Sequence, residues 1–353
     1  MQGPLFRPDL FSRRLPSYTE PDEIALQSVK EIIAHDYRSV IGQNLRISQT
    51  SGNNVNSRNF RIASSRGQFV LKHIPQAGLR DHESTCHLSA FLNSRGAAVV
   101  YPEKNDKREF VSRDEQAGWS LWPFFEGDYF SGGEQELRGI ADAVQGLSKH
   151  LSTVPADASP TRRVEVNVSD MVATIRNIDS SWNDWVKTVD ETMVRLVADN
   201  RPVILKALSG IETTAAKYEF SQLLPVHYDL HPHNILVKEG HIAAILDTDS
   251  IVMYAPMPSL GFAAFKLFRQ HVAHLESEEP GPELREDFER FSNQLAPEYS
   301  AQEMLEGARI EVMRRMCDIL GNLDTDGKSV WGHVFGIHLS ALSEISWLLG
   351  ESS

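Results

Sequence analysis

The side chains best suited to chemistry cluster in VHYDLHPHNILV, residues 226–237, and in AAILDTDS, residues 243–250. Short apolar runs at 224–226, 235–237 and 242–246 flank Asp229, Asn234 and Asp247, so strands present these polar residues at their ends. A carboxylate beside an alcohol can orient its hydroxyl and take its proton. A second carboxylate and an amide oxygen are hard donors of the kind that Mg²⁺ prefers. Asp and Asn also form turns by bonding to nearby backbone, so a polar loop between buried strands is the alternative reading. The joint occurrence of three such residues at this spacing favours chemistry.

His227, Asp229 and Asn234 spell HxDxxxxN, and Asp247 opens the turn after the next strand. This pattern resembles the catalytic core of the kinase-like superfamily. The continuation Asp229-Leu230-His231-Pro232 is similar to the aminoglycoside phosphotransferase branch of small-molecule kinases. The resemblance runs over residues 45–255 and implies an α+β, two-lobed protein-kinase-like fold, with a small β-rich lobe carrying one helix and a large, mainly helical lobe. It further implies ATP-dependent transfer, with Mg²⁺, of the γ-phosphoryl group to a hydroxyl of a small molecule: an amino alcohol, a sugar, a hydroxy amino acid or an aminoglycoside. Asp229 is then the catalytic residue at the acceptor hydroxyl, Asn234 and Asp247 are the metal ligands, and His227 is a structural member of the loop. Three positions depart from the family pattern: Tyr228 where a small residue is usual, His233 where Gly is common, and Thr248 where an aromatic usually follows the acid. Asp249 is either a third acidic ligand or a solvated turn residue.

Kinase chemistry also needs a cation on the α- and β-phosphates. FVLKHI, residues 69–74, sets Lys72 in an alternating strand ahead of a helix. In that helix Glu83 is the expected partner of Lys72, although a Glu there also complements the helix dipole. Gly52, among small polar residues between two strands, is the expected close-approach point for phosphate.

The elements that must position these residues are legible as periodicities. Strands are expected at 45–50, 58–64, 68–74, 99–101, 109–112 and 117–122, with a helix at 81–94 after the third and an Asp22-capped helix before the first. From Glu134 the apolar spacing becomes helical, with helices at 171–178, 182–198, 203–211, 308–320 and 334–349 and an apolar helix around 260–268. Glu239-Gly240 reads as a hairpin turn. The expected organisation is an N-terminal arm (1–20), a nucleotide-binding lobe (21–125) and a catalytic and substrate-binding lobe (126–353), hinged within Trp119–Gly127.

A net charge of −13, from 35 Lys and Arg against 48 Asp and Glu, argues against a nucleic-acid or anionic-membrane partner. Cys86 and Cys317 lack metal-ligand spacing, and no stretch has the apolar length of a span or leader, so a cytoplasmic protein is expected. Two other functions are weighed. A protein kinase would need DFG and APE, which are absent after Asp247. A catalytically inactive nucleotide-binding protein of the same fold would have lost acids that this chain retains.

Overall fold

Alternating buried and half-buried side chains along Arg58–Ser64 and Gly67–Pro75 build the centre of the first sheet. The computed structural model describes residue 6 and residues 18–50, 58–114, 117–155, 158–218, 220, 222–275, 281–323, 327–329 and 331–351. In the N-terminal part these form β1 (Tyr18–Thr19), α1 (Glu23–Asp36), α2 (Arg38–Ile41), β2 (Arg46–Thr50), β3 (Arg58–Ser64), β4 (Gly67–Pro75), α3 (Leu79–Ser94), β5 (Ser112–Arg113) and β6 (Ala117–Pro123). The sheet is antiparallel in the order β1-β2-β3-β4-β6-β5. Phe60, Ile62, Leu71 and Leu121 on one face pack against Val29 and Ile33 of α1, which Asp22 caps by accepting from the Ala25 amide. Leu79 and Cys86 of α3 pack with Trp122 on the other.

Two expected strands are not formed as read. Val99 makes a single parallel bridge to Ile245, and Val100 N–H donates to Ile245 O, so this segment joins the lobes instead of extending the small sheet. Of 109–112, only Ser112 pairs with β6.

The helical lobe contains β7 (Asp128–Tyr129), α4 (Glu134–Leu151), α5 (Val168–Ser180), α6 (Trp182–Trp185), α7 (Glu191–Asp199), α8 (Arg201–Lys217), β8 (Leu224–His227), β9 (Ile235–Lys238), β10 (His241–Ile245), β11 (Ile251–Tyr254), α9 (Pro256–His274), α10 (Glu283–Leu295), α11 (Ala301–Gly321) and α12 (Gly332–Leu348). The helix expected over 182–198 is interrupted, because Asp190 caps a new helix by accepting from the Thr192 amide. Two small antiparallel sheets, β10-β9-β7 and β11-β8, hold the polar loops. Glu239 and Gly240 both have positive φ, as a two-residue hairpin turn requires, and close β9 onto β10. Beneath them α9 is buried along most of its length against α11. The two helices approach so closely that a Cβ on Gly307 would lie 2.5 Å from Met257 O.

Phe6, the one described residue of the arm before β1, is buried with its ring edge-on to Trp347 of α12. Gly52 lies outside the described residues. Among the described residues no helix is long and apolar enough to cross a membrane.

Candidate active site

Two hairpin-like pairings bring the polar loops together. β8 ends at His227, whose register partner Ile251 opens β11, so residues 228–234 and 246–250 leave the same edge. His227 Nε2 donates to Leu246 O at 2.9 Å, and the Leu246 amide donates to Asn234 O at 2.8 Å. Burial pushes the His227 ring down from its ordinary pKa, which suits a neutral side chain tying one loop to the other.

Asn234 Nδ2 donates to Asp229 O at 2.8 Å, which leaves Asn234 Oδ1 as its acceptor. Asp247 adopts the left-handed conformation at φ 54°, and Ser250 Oγ donates to its Oδ2 at 2.6 Å. An amide oxygen and a carboxylate, linked through the Leu246–Asn234 bond, are an oxygen donor set that fits Mg²⁺. Asn234 and Asp247 would hold that ion, which would supply charge neutralisation on the transferring group.

Asp229 is held from a distant helix. Arg315 of α11 donates from Nη1 to Asp229 Oδ1 and from Nη2 to Tyr228 O, both at 2.8 Å, while its Nε donates to Glu311 Oε1 at 2.7 Å. Glu311 is fully buried and also receives Arg314 and the Tyr254 hydroxyl. His231 Nε2 lies 3.6 Å from the other Asp229 oxygen. Burial alone would raise the Asp229 carboxyl, but the Arg315 charge and then His231 outweigh it and hold it well below the usual carboxylate range. The group is therefore ionised at neutral pH. Tyr228, one of the departures from the family pattern, has the Arg162 and Arg315 guanidinium groups each 5.4 Å from its ring centroid. His233, another, has its ring edge-on to Tyr129.

Lys72 reaches the same cleft from β4, but its expected partner does not meet it. Lys72 Nζ donates to Asp249 Oδ2 at 2.9 Å, and Glu83 instead receives Arg113 Nε at 3.0 Å. The reason is the face of α3. Leu79, His82, Cys86 and Ser89 form its buried stripe, and Glu83 is one residue, about 100°, further round. His82 therefore takes the inward position, 6% exposed, with Nδ1 3.0 Å from Asp249 Oδ1. Asp249 thus pairs with Lys72 and His82. Burial would raise its carboxyl, but Lys72 and His82 hold it well below the usual range. A cavity of about 340 Å³ opens here, lined by Lys72, His82, Asp247, Asp249 and Arg162. A larger one, about 540 Å³, lies between α8, α10, α11 and α12 and touches none of these side chains.

The site residues missed in the sequence are His82 and Arg315. His82 lies on the buried stripe of α3, where the polar members His82 and Ser89 obscure the hydrophobic periodicity. Arg315 had only the weak signal of Glu311, Arg314, Arg315 and Asp318 at helical ion-pair spacing.

Residues 47–300 match the model of the phosphotransferase enzyme family. The chain belongs to that family. As a family member it is a kinase-type phosphotransferase with an alcohol group as acceptor, and ATP and Mg²⁺ are the cofactors of that chemistry. Solved members share the architecture. A spectinomycin phosphotransferase bound to ADP and spectinomycin superposes with a TM-score of 0.66 at 12% identity, over 91% of this chain and 97% of that one. For an amicoumacin kinase bound to AMP-PNP, Ca²⁺ and its ligand, the TM-score is 0.56 at 10% identity, over 92% and 94%. For an aminoglycoside phosphotransferase bound to ADP and hygromycin B, it is 0.52 at 15% identity, over 90% and 97%. At these identities the likeness shows the fold. No curated protein matches the sequence significantly.

Proposed function

We propose that this phosphotransferase moves the γ-phosphoryl group of ATP to a hydroxyl of a small molecule of the amino alcohol, sugar, hydroxy amino acid or aminoglycoside type, with Asp229 at the acceptor oxygen. The observation that supports the reading is one cavity lined by Lys72 of β4 and Asp247, with Asn234 and Asp229 tied to the Asp247 turn through the bonds Leu246 N–H to Asn234 O and Asn234 Nδ2 to Asp229 O. In this reading Lys72 holds the triphosphate, with Asp249 as its counter-ion. Asn234 and Asp247 hold Mg²⁺. Asp229, fixed by Arg315, accepts a hydrogen bond from the attacking hydroxyl and aligns its lone pair with the γ-phosphorus. As the new bond from the acceptor oxygen to the γ-phosphorus forms, the bond from that phosphorus to the β–γ bridging oxygen breaks and ADP leaves, and the hydroxyl proton passes to Asp229. Catalysis is then mostly positioning and charge stabilisation.

Protein phosphorylation is the weaker reading. The chain runs from Asp247 through a 3₁₀ turn and β11 into the buried α9 at Pro256, which leaves no activation segment to hold a peptide. A coupled ADP-release screen over sugars, amino alcohols, hydroxy amino acids and aminoglycosides tests the proposal, with Asp229→Asn as the blank. The variant is expected to bind ATP normally and to lose about 10²-fold or more in turnover. Unchanged turnover in that variant would remove Asp229 from the chemistry, and phosphorylation of generic protein substrates would reverse the choice of acceptor.

A further inference from the structure

We infer that His82 is the positioning residue that locks the phosphate-binding lysine, through Asp249, in the place where an ion pair between Lys72 and an acid of α3 was expected. This rests on the phosphotransferase reading above and specifies how its nucleotide half is assembled.

The geometry is a closed circuit of short contacts. Lys72 and Ser120 are register partners on the adjacent strands β4 and β6. Lys72 Nζ donates to one oxygen of Asp249, and His82 Nδ1 lies 3.0 Å from the other. His82 Nε2 lies 2.8 Å from Ser120 Oγ, which returns the circuit to the strand beside Lys72. Hydrogen-bond chemistry assigns the direction of each link. A carboxylate only accepts, so His82 Nδ1 carries a proton toward Asp249. The Trp122 indole N–H only donates, and it does so to Ser120 Oγ at 2.7 Å. The Ser120 hydroxyl hydrogen is then available to His82 Nε2. The Trp122 ring also lies 4.7 Å under the Lys72 ammonium.

The circuit joins three elements that must be in register for phosphate binding: the sheet carrying Lys72, helix α3, and the turn that presents Asp247. A second buried link reinforces the last of these, since Ser89 Oγ of α3, whose own hydrogen goes to Thr85 O, lies 2.9 Å from Thr248 Oγ1. Glu83 cannot substitute for His82, because it points to Arg113 on the outer side of α3. His82 touches neither nucleotide nor acceptor in this scheme; it acts through Asp249.

Equilibrium binding of Mg·AMP-PNP and of adenosine to the full chain separates this role from a merely structural one. Losing a hydrogen bond to a charged group predicts that His82→Ala and His82→Gln weaken AMP-PNP by about tenfold or more, with adenosine affinity held within about twofold. His82→Asn, whose amide nitrogen can occupy the Nδ1 position, is expected to fold with wild-type melting behaviour and to restore most of the AMP-PNP affinity. Glu83→Ala is expected to bind AMP-PNP as the wild type does. Equal weakening by Glu83→Ala, no effect of His82→Ala, or parallel loss of adenosine and AMP-PNP would each overturn the assignment. Lys72→Met distinguishes the two levels. If it binds AMP-PNP normally, the phosphate site itself is misassigned and the inference falls with it; if it binds weakly while His82→Ala does not, only the inference falls.

Discussion

Replacing Arg315 with methionine keeps most of the side-chain volume and removes the guanidinium that holds Asp229. Three bonds are lost, at 2.8, 2.8 and 2.7 Å, to Asp229 Oδ1, Tyr228 O and Glu311 Oε1. Glu311 retains Arg314 and the Tyr254 hydroxyl, so the uncompensated charge is mainly Asp229. Breaking a fully buried pair by removing one partner costs about 3–5 kcal/mol. Here the side chains are 20% and 25% exposed, so water replaces part of the interaction. A loss of roughly 2–3 kcal/mol at neutral pH follows after that discount. The pH dependence has a definite sign. Asp229 is depressed in the folded state, so its contribution is fully present above the unfolded carboxylate value of about 3.9 and is lost as pH falls through the folded value. The stability gap between wild type and variant should therefore be constant from pH 5 to 8, as an order-of-magnitude window, and narrow on further acidification. Urea unfolding of both proteins at pH 7 and below pH 4 measures it. Turnover should fall by about tenfold or more with little change in KM for ATP, because the carboxylate is freed to rotate while the phosphate side is untouched. A variant as stable as the wild type, a gap that widens on acidification, or a defect confined to KM for ATP would refute the reasoning.

Asp247→Asn should raise the Mg²⁺ concentration for half-maximal activity by about ten- to hundredfold, measured by Mg²⁺ titration after chelation, since a charged donor becomes a neutral one. Gly307→Ala and Gly146→Ala should have opposite signs in thermal unfolding. The first puts a Cβ 2.5 Å from Met257 O and is expected to destabilise by about 1–3 kcal/mol, whereas the second meets nothing within 4 Å on α4 and should be neutral or stabilising by up to about 1 kcal/mol.

Family membership now carries the reaction class, while the finer acceptor chemistry rests on the proposal. The sequence also carries an acidic run, Glu276, Glu278, Glu279, Glu283, Glu286 and Asp287. Its described members, Glu283, Glu286 and Asp287, lie on α10, which packs through Leu284 and Phe288 into the core and contributes none of the charges found beside Asp229. The groups found beside Asp229 are Arg315, at 2.8 Å, and His231, at 3.6 Å.

Sequence alone determined what is local. The loop and the turn proposed for catalysis and metal binding fall within residues 226–250, and their interlocking bonds, His227 to Leu246 and Asn234 to Asp229, span 19 and 5 positions. Residue type and spacing therefore fix most of the local geometry there. The β-hairpin turn at Glu239-Gly240 and the Asp22 cap were readable for the same reason, since each depends on a few adjacent φ/ψ values and one nearby donor. Tertiary structure decided the partners. Lys72 and Asp249 are 177 positions apart, His82 and Asp249 167, and Arg315 and Asp229 86, so no local pattern links them. The choice of His82 over Glu83 turned on which side of α3 faces the sheet. Packing of Leu79 and Cys86 set that rotation, and hydrophobic periodicity could not reveal it where two members of the buried stripe, His82 and Ser89, are polar.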